Sequence, residues 1–528
     1  MRYFNTAGPC IPALHYMVPP ESRLPDARRL IDRGQYFVLH APRQTGKTTT
    51  LAALAAALTS EGRHAALHFS CETAEVAGDD YGLAELQVLS SIRAMAGIRD
   101  LPTELLPPSP WPEAEPGRRI FSALEAWARR CPLPLALFFD EIDALRGESL
   151  RSVLRQLRDG YQSRPDAFPA SIVLCGLRDV RDYKAASGGN PTRLGTASPF
   201  NISVKSLRIG DFTFDDVAEL YGQHTAETGQ AFAPEALERA FGYSQGQPWL
   251  TNALAREVVD EMGVEPPTPI TTEHIDEAKE RLILARATHL DSLVDKLSEP
   301  RVRRVIEPLL AGDLPEGLDG TYNDDVRYVQ DLGLIAAARP IRVANPIYRE
   351  VIVRVLGTRT EDVITADPRA FVLPDGRLDL RKLLEEFAAF WKQHGEILAS
   401  TSWYQEAAPQ LVIMVFLQRI VNGGGYIDRE YGVGRGRIDL LIRKPYTGAD
   451  GHRLEQREAL ELKVWRPHQA DPLPEGLAQL DGYLDGLDLQ TGTLVVFDRR
   501  PSAPPVGERT SFGVERTPSG RAVTLLRA

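Results

Sequence analysis

The sequence predicts an α/β chain: a parallel sheet flanked by helices, then a mostly helical stretch, then a second α/β unit. Three observations predict it. Continuous apolar runs such as Leu135–Phe139 and Ser171–Cys175 are bounded by turn residues, as in strands buried on both faces of a parallel sheet. Helical patterns separate these runs, so the connections read as βαβ crossovers. The 528 residues exceed what one core carries and suggest about three or four domains.

The elements follow in order. Tyr36–His40 reads as a short strand, Lys47–Leu58 as an Ala/Leu-rich helix and Ala65–Phe69 as a second strand. Pro102–Pro116 is too rich in proline for either and reads as a surface loop. Helical patterns then cover Asp215–Thr228, Pro234–Phe241 and Thr272–Ala287, with Val264–Thr271 as a loop. Thr272 is expected as the N-cap of the last helix, with Glu273 and Asp276 in its first turn. Pro300–Val355 reads as helices followed by strands Gly333–Ala336 and Ile341–Ala344, the pattern of a winged-helix module. Ala366–Gly376 separates this from a unit that opens with two helices and continues with strands Ile438–Arg443, Glu458–Val464 and Gly492–Asp498. The expected divisions are 1–206, 207–297, 298–365 and 370–528.

Composition narrows the class. With 43% hydrophobic and 25% charged residues the chain is ordinarily globular. A net charge of −11 and a pI near 5.6 argue against coating nucleic acid by bulk charge, while leaving room for a local basic groove. Cys10, Cys71, Cys131 and Cys175 are scattered, with no CxxC spacing for zinc or a disulfide framework. No signal peptide is read at the start, and apolar runs such as Leu411–Leu417 fall short of the ~20 residues that span a bilayer. The expectation is a cytoplasmic protein with no membrane partner.

The first candidate site is Ala41-Pro42-Arg43-Gln44-Thr45-Gly46-Lys47-Thr48, set between a strand and a helix that continues with Thr49. Loop N–H groups and a helix N-terminus surround phosphates, Lys47 reaches the β- and γ-phosphates, and Thr48 offers a hydroxyl to Mg²⁺. Ala41 stands where the strict pattern has Gly. LALFFDEID supplies the second half: Asp140 at a strand end to bind Mg²⁺ through water, and Glu141 as general base for the attacking water. The predicted ligands are ATP and Mg²⁺.

NTAGPC, HYMVPP, YFVLHAPRQTGKT, DEIDAL, SIVLCGLRDVRDY, SPFNI and GQPWL together resemble the AAA-like P-loop ATPases related to archaeal-type and STAND ATPases, over residues 1–355. The resemblance implies a P-loop NTPase domain, a helical lid bearing GQPWL (246–250), and a winged helix. It also implies Arg178, with Arg181 as alternative, as a sensor of the γ-phosphate.

The second candidate site joins RGRID (435–439) to ELK (461–463). Strand alternation sets Asp439 on one face, and Glu461 with Lys463 on one face while Leu460, Leu462 and Val464 enter the core. Paired strands would gather Asp439, Glu461 and Lys463 at one edge. Two carboxylates and a backbone carbonyl suit Mg²⁺ or Mn²⁺, and a lysine beside them suits phosphodiester hydrolysis. An isolated Glu-x-Lys is often only a surface ion pair. These residues nevertheless resemble the PD-(D/E)XK nuclease superfamily over about 378–500, and Gln479 with Tyr483 resembles the QxxxY pattern of its RecB-like branch. The resemblance implies an acidic helper at Glu406 and a nuclease acting on DNA or RNA. Arg435 and Arg437 are candidates for phosphate contacts.

Other features are set aside. His64 and His68 flank a strand and lack the intervening Glu of a helical zinc motif. Trp391, Trp403 and Trp465 read as core, and Gly423-Gly424-Gly425 as a helix exit. The leading expectation is an ATP-gated nuclease. The alternative is a STAND-like nucleotide-dependent switch whose carboxy-terminal domain recognises a partner without cleaving it. The oligomeric state stays open, a homo-oligomer included.

Overall fold

Alternate side chains of the first strand enter two different apolar cores, and this sets the architecture of the amino-terminal unit. Val38 joins Leu67, Phe69, Leu137 and Phe139 on one face, whereas Phe37 and Leu39 join Ala136 and Phe138 on the other. The computed structural model describes residues 1–19, 23–176, 202, 205–285, 290, 295–310, 323–361, 368–400, 412–414, 416–417, 426–433, 436–448 and 451–528.

The first sheet comprises β1 (Phe37–His40), β2 (Ala65–Ser70), β3 (Leu135–Asp140), β4 (Ser171–Gly176) and β5 (Ser206–Arg208), in the order β2-β3-β4-β1-β5. Every pairing is parallel. Helices α1 (Pro25–Asp32) and α2 (Lys47–Ser60) cover one face through Leu30, Leu54 and Leu58. Helices α3 (Tyr81–Ile98), α4 (Arg119–Arg130) and α5 (Gly147–Gly160) cover the other through Ile92, Trp127 and Leu154. The expected strands appear within a residue of their boundaries. The three-residue β5 carries too short a pattern to have been read.

Four helices follow: α6 (Phe214–Thr228), α7 (Pro234–Ser244), α8 (Pro248–Arg256) and α9 (Thr272–Leu284). Thr213 caps α6 in a reciprocal box with Asp216. The cap of α9 is Thr271, not Thr272. Thr271 holds the extended backbone a cap requires, φ −106° and ψ 174°, and its N–H donates to His274 Nδ1 at 3.1 Å.

By contact density the chain forms two compact units, Met1–His289 with Val326–Ala337 and Leu290–Asp325 with Ala338–Ala528. The units interleave in sequence: α10 (Pro300–Leu310) and α12 (Pro346–Glu361) fall in the second, and α11 (Asp324–Asp331) falls mostly in the first. The two strands expected before α12 are reduced to single bridging positions, Ile335 and Val343, around Pro340, which has no N–H to donate.

The second unit contains helix α13 (Leu380–Ser400) and a sheet of β6 (Tyr426–Val433), β7 (Gly436–Thr447), β8 (Arg453–Trp465), β9 (Thr491–Asp498), β10 (Ser511–Arg516) and β11 (Ala522–Arg527). The order is β10-β11-β9-β8-β7-β6. β6, β7 and β8 form an antiparallel meander, and β8 then pairs in parallel with β9 across helix α14 (Leu473–Gly486). Leu480 and Leu484 of α14 pack on Leu441, Ala459, Leu494 and Val496. On the opposite face Phe497 meets Phe387 and Trp391 of α13. Trp391 is core as expected, whereas Trp403 and Gly423–Gly425 lie outside the described residues. No described helix is long and apolar enough to cross a membrane.

Candidate functional site

The loop after β1 turns sharply through two left-handed residues, Gln44 (φ 56°) and Gly46 (φ 79°), the latter capping α2. Ala41 has no positive φ, so the methyl group that departs from the strict pattern meets no backbone conflict. Thr45 Oγ1 donates to Pro42 O at 2.8 Å and stiffens the turn. Lys47 Nζ donates to Ala41 O at 2.7 Å and to Pro42 O at 2.8 Å. Burial lowers its pKa, while the charges of Cys175 and Asp140 oppose that shift. Arg43 is exposed, and Thr49 Oγ1 accepts from Cys10 N at 3.0 Å, tying the amino-terminal segment to α2.

β4 lies between β1 and β3, so loop and acidic strand meet across a neighbour. The meeting is direct: Thr48 Oγ1 donates to Asp140 Oδ2 at 2.8 Å. His68 Nε2 stands 3.0 Å from the same oxygen. Burial disfavours the Asp140 carboxylate, yet hydrogen bonds from His68, Thr48 and Cys175 outweigh it and hold the group below its usual range. Glu141 adopts φ 52°, a left-handed conformation that costs a non-glycine residue roughly 1–3 kcal/mol. Its Oε2 accepts from Ser70 Oγ at 3.1 Å, and burial together with the charge of Glu72 pushes its pKa up. A carboxyl with a raised pKa is a better proton acceptor in water activation.

Three residues here escaped sequence reasoning. His68 does not form the helical metal pair that its spacing from His64 would suit; its place on β2 points it at Asp140. Arg23 donates to Thr45 O at 2.7 Å and Gly210 O at 2.6 Å, with its guanidinium 4.9 Å from the Phe212 ring centre. Gln247, the N-cap of α8 within GQPWL, donates from Nε2 to Gln44 O at 3.4 Å. Gly246 before it has φ 75°, and a Cβ there would stand 1.8 Å from Phe212 O. Gly246 thus permits a close approach to the Phe212 backbone, and Gln247 beside it reaches the loop. A cleft of about 120 Å³ opens beside the loop, lined by Asn5, Tyr16, Gly46, Phe212, Trp249 and Asn252 among others.

In the second unit the β7–β8 ladder runs to the pair Leu440↔Leu460, and the next step along sets Asp439 opposite Glu461. Asp439 Oδ2 accepts from Leu462 N at 2.8 Å. Lys463 Nζ stands 3.2 Å from Glu461 Oε1 and 3.6 Å from Glu475 Oε1, and donates to Gln479 Oε1. Gln479 reaches it because Gly476 lets α14 lie close: a Cβ there would stand 2.8 Å from Leu494 Cδ1. Tyr483, one turn on, packs against the apolar cluster. Glu461 is 3% exposed, and its Oε2 has no hydrogen-bond partner among the described residues. Burial and the charge of Asp439 push it up to about 7, against the pull of Lys463.

The face carrying these groups is covered by α14, and Leu441 and Ala459 on it are as buried as Leu460 on the other. The expectation of one core face and one open edge is thus corrected: the sheet is buried on both faces because helices lie on both. Among the described residues no three His, Cys, Asp or Glu side chains cluster as a metal site. Divalent cations would be held by two-member sets with hydroxyl or backbone oxygens, Thr48 with Asp140 and Asp439 with Glu461. The unmatched Glu461 Oε2 fits that donor set. Arg178, Arg181, Glu406 and Arg435 lie outside the described residues, and Arg437 is described in its strand position only.

No protein-family model and no curated protein matches the chain. Among solved structures it is similar to a Walker-type ATPase, PABY2304 of Pyrococcus abyssi, with 13% identity, TM-score 0.46, and coverage of 66% of this chain and 99% of that one. It is also similar to RuvB, the Holliday junction branch migration motor of Thermotoga maritima, with 15% identity, TM-score 0.33, and coverage of 63% and 93%. Cdc6p from Pyrobaculum aerophilum shows 13% identity, TM-score 0.35, and coverage of 65% and 96%. Likeness at this level transfers no activity.

Proposed function

We propose that the chain is a P-loop ATPase joined to a metal-dependent, PD-(D/E)XK-like nuclease whose action on DNA or RNA is gated by nucleotide state. The observation that carries the first half is the 2.8 Å hydrogen bond from Thr48 Oγ1 to Asp140 Oδ2. It joins a loop hydroxyl and a strand-end carboxylate where a triphosphate and its Mg²⁺ need both. Lys47, now held by loop carbonyls, would turn to the phosphates. Glu141 would accept the proton of the attacking water, and His68 would hold Asp140 in orientation. The Gln247–Gln44 contact gives the lid a direct reading of the loop.

The second half rests on Asp439, Glu461 and Lys463 converging beneath α14. Mg²⁺ or Mn²⁺ held there would supply positive charge to the phosphodiester oxygens. Lys463, positioned by Gln479, would orient the attacking hydroxide, and Asp439 is fixed by Leu462 N. In this reading 1–206 is the ATPase, 207–297 the lid, 298–365 a winged-helix-like connector and 370–528 the nuclease-like unit. Arg178 senses the γ-phosphate and Glu406 assists the metal site.

The test measures ATP turnover, and Mg²⁺- or Mn²⁺-dependent cleavage of DNA and RNA with and without ATP, for the native chain, Lys47→Ala and Asp439→Ala. Cleavage unchanged in Asp439→Ala removes the nuclease site. Nucleotide binding with no cleavage product from any substrate selects a STAND-like switch instead.

A further inference from the structure

β9 ends at Asp498, and the next two residues are arginines. Arg500 is locked in place: its Nε and Nη2 donate to the two carboxylate oxygens of Asp498 at 2.9 and 2.7 Å. Its guanidinium also lies 3.3 Å from the ring centre of Trp465, which the register pairs with Asp498. Arg499 N donates to Trp465 O at 2.9 Å. A third guanidinium arrives on the short helix Val506–Arg509. Arg499, Arg500, Arg509, Asp498, Trp391 and Phe497, with Ala528, line a pocket of about 150 Å³.

Two features set this pocket apart in a chain of net charge −11. Its lining carries three arginines against one acidic side chain, Asp498. Trp391 is 1% exposed, and its indole N–H has no hydrogen-bond partner among the described residues. A buried donor left without an acceptor is costly, and guanidinium forks match tetrahedral oxyanions. Trp465 packs, half-buried, against the apolar cluster beneath α14, and its ring also carries the Arg500 guanidinium.

We propose that this pocket binds a phosphate group, one belonging to the polynucleotide held at the Asp439–Glu461–Lys463 site. Trp465 follows Lys463 by two residues on the same face of β8, roughly 6.6 Å along the strand. Through Arg500, stacked on Trp465, the rim of the pocket meets that face, while Trp391 and Phe497 line it from the α13 side, so a strand lying past Lys463 meets the pocket at Arg500 with a neighbouring phosphate. The phosphate site stands on the pocket itself, whereas the polynucleotide source rests on the nuclease reading above.

The experiment uses the full chain in chelator, so that no substrate is cut. Calorimetry with inorganic phosphate is paired with anisotropy of a labelled single-stranded oligonucleotide. Phosphate binds the native chain and displaces the oligonucleotide. Arg509→Gln weakens both by about 10-fold, Arg509→Lys recovers part of the loss, and Trp391→Phe, which keeps the ring and removes the N–H, costs about 3-fold. Absence of phosphate binding, as when Asp498 already saturates the guanidiniums, overturns the pocket. Native affinity in Arg509→Gln overturns it equally. Phosphate that binds without displacing the oligonucleotide overturns the polynucleotide source. Displacement with no cleavage in Mg²⁺ supports the pocket and sinks the nuclease reading alone.

Discussion

Asp140 and Glu461 are both carboxylates on buried strands, 1% and 3% exposed, with a lysine at hand in each site, yet their acidities move in opposite directions. The difference lies in the donors around them. Asp140 receives Thr48, His68 and Cys175, enough to overcome burial. Glu461 has Lys463 on one oxygen and no partner among the described residues on the other, while Asp439 repels its charge. Depth alone does not decide whether a buried carboxylate is ionised; the count and charge of its neighbours do. In the proposed reading, a cation would find Asp140 already charged and would draw the proton from Glu461.

The sharpest test of that contrast removes each lysine or carboxylate separately. Lys47→Ala is expected to lower ATP turnover by ~10²–10³-fold, read in a phosphate-release assay, because it deletes the main cation on the transferred phosphate. Asp439→Ala should reduce cleavage by more than the roughly 10–100-fold that loss of an outer partner costs at a metal site, while ATP turnover in the absence of substrate stays unchanged. A smaller effect distinguishes the two carboxylates by pH. Glu461 is neutral below about 7 and ionised above it, so Mn²⁺ affinity at that site falls by up to ~10-fold as pH drops from 7 to 6. Calorimetry should show this slope in the native chain and lose it in Glu461→Gln. The smallest change is expected for His68→Ala. Asp140 is depressed, so its charge is present at neutral pH and lost as pH falls through its folded value; removing a donor moves that loss upward. The acid limb of the ATP-turnover profile should shift to higher pH by less than one unit. An unshifted limb would mean that His68 does not govern Asp140.

The first site was legible because its signals are contiguous. Residues 41–48 and 135–141 each carry strand, turn and chemistry in one stretch, and local rules suffice. Asp439 and Glu461 were legible as a pair through strand alternation, but their burial was not, since α14 closes over them from later in the chain. His68, Arg23 and Gln247 were missed for one physical reason. Each acts through a tertiary contact with a residue more than twenty positions away, and no local pattern encodes such a meeting. β10 carries no such signal, because no residue of Ser511–Arg516 is fully buried and it lacks an apolar run.

Parallel pairing of β8 with β9 has a consequence for synthesis on the ribosome. A nascent chain that has emerged only through residue 465 already displays Asp439, Glu461 and Lys463, but Gln479 and the cover of α14 follow later. The lysine is steered only once the crossover helix has folded back and β9 has docked beside β8. Vectorial translation thereby delays the steering of Lys463 until β9, which ends at Asp498, has left the exit tunnel.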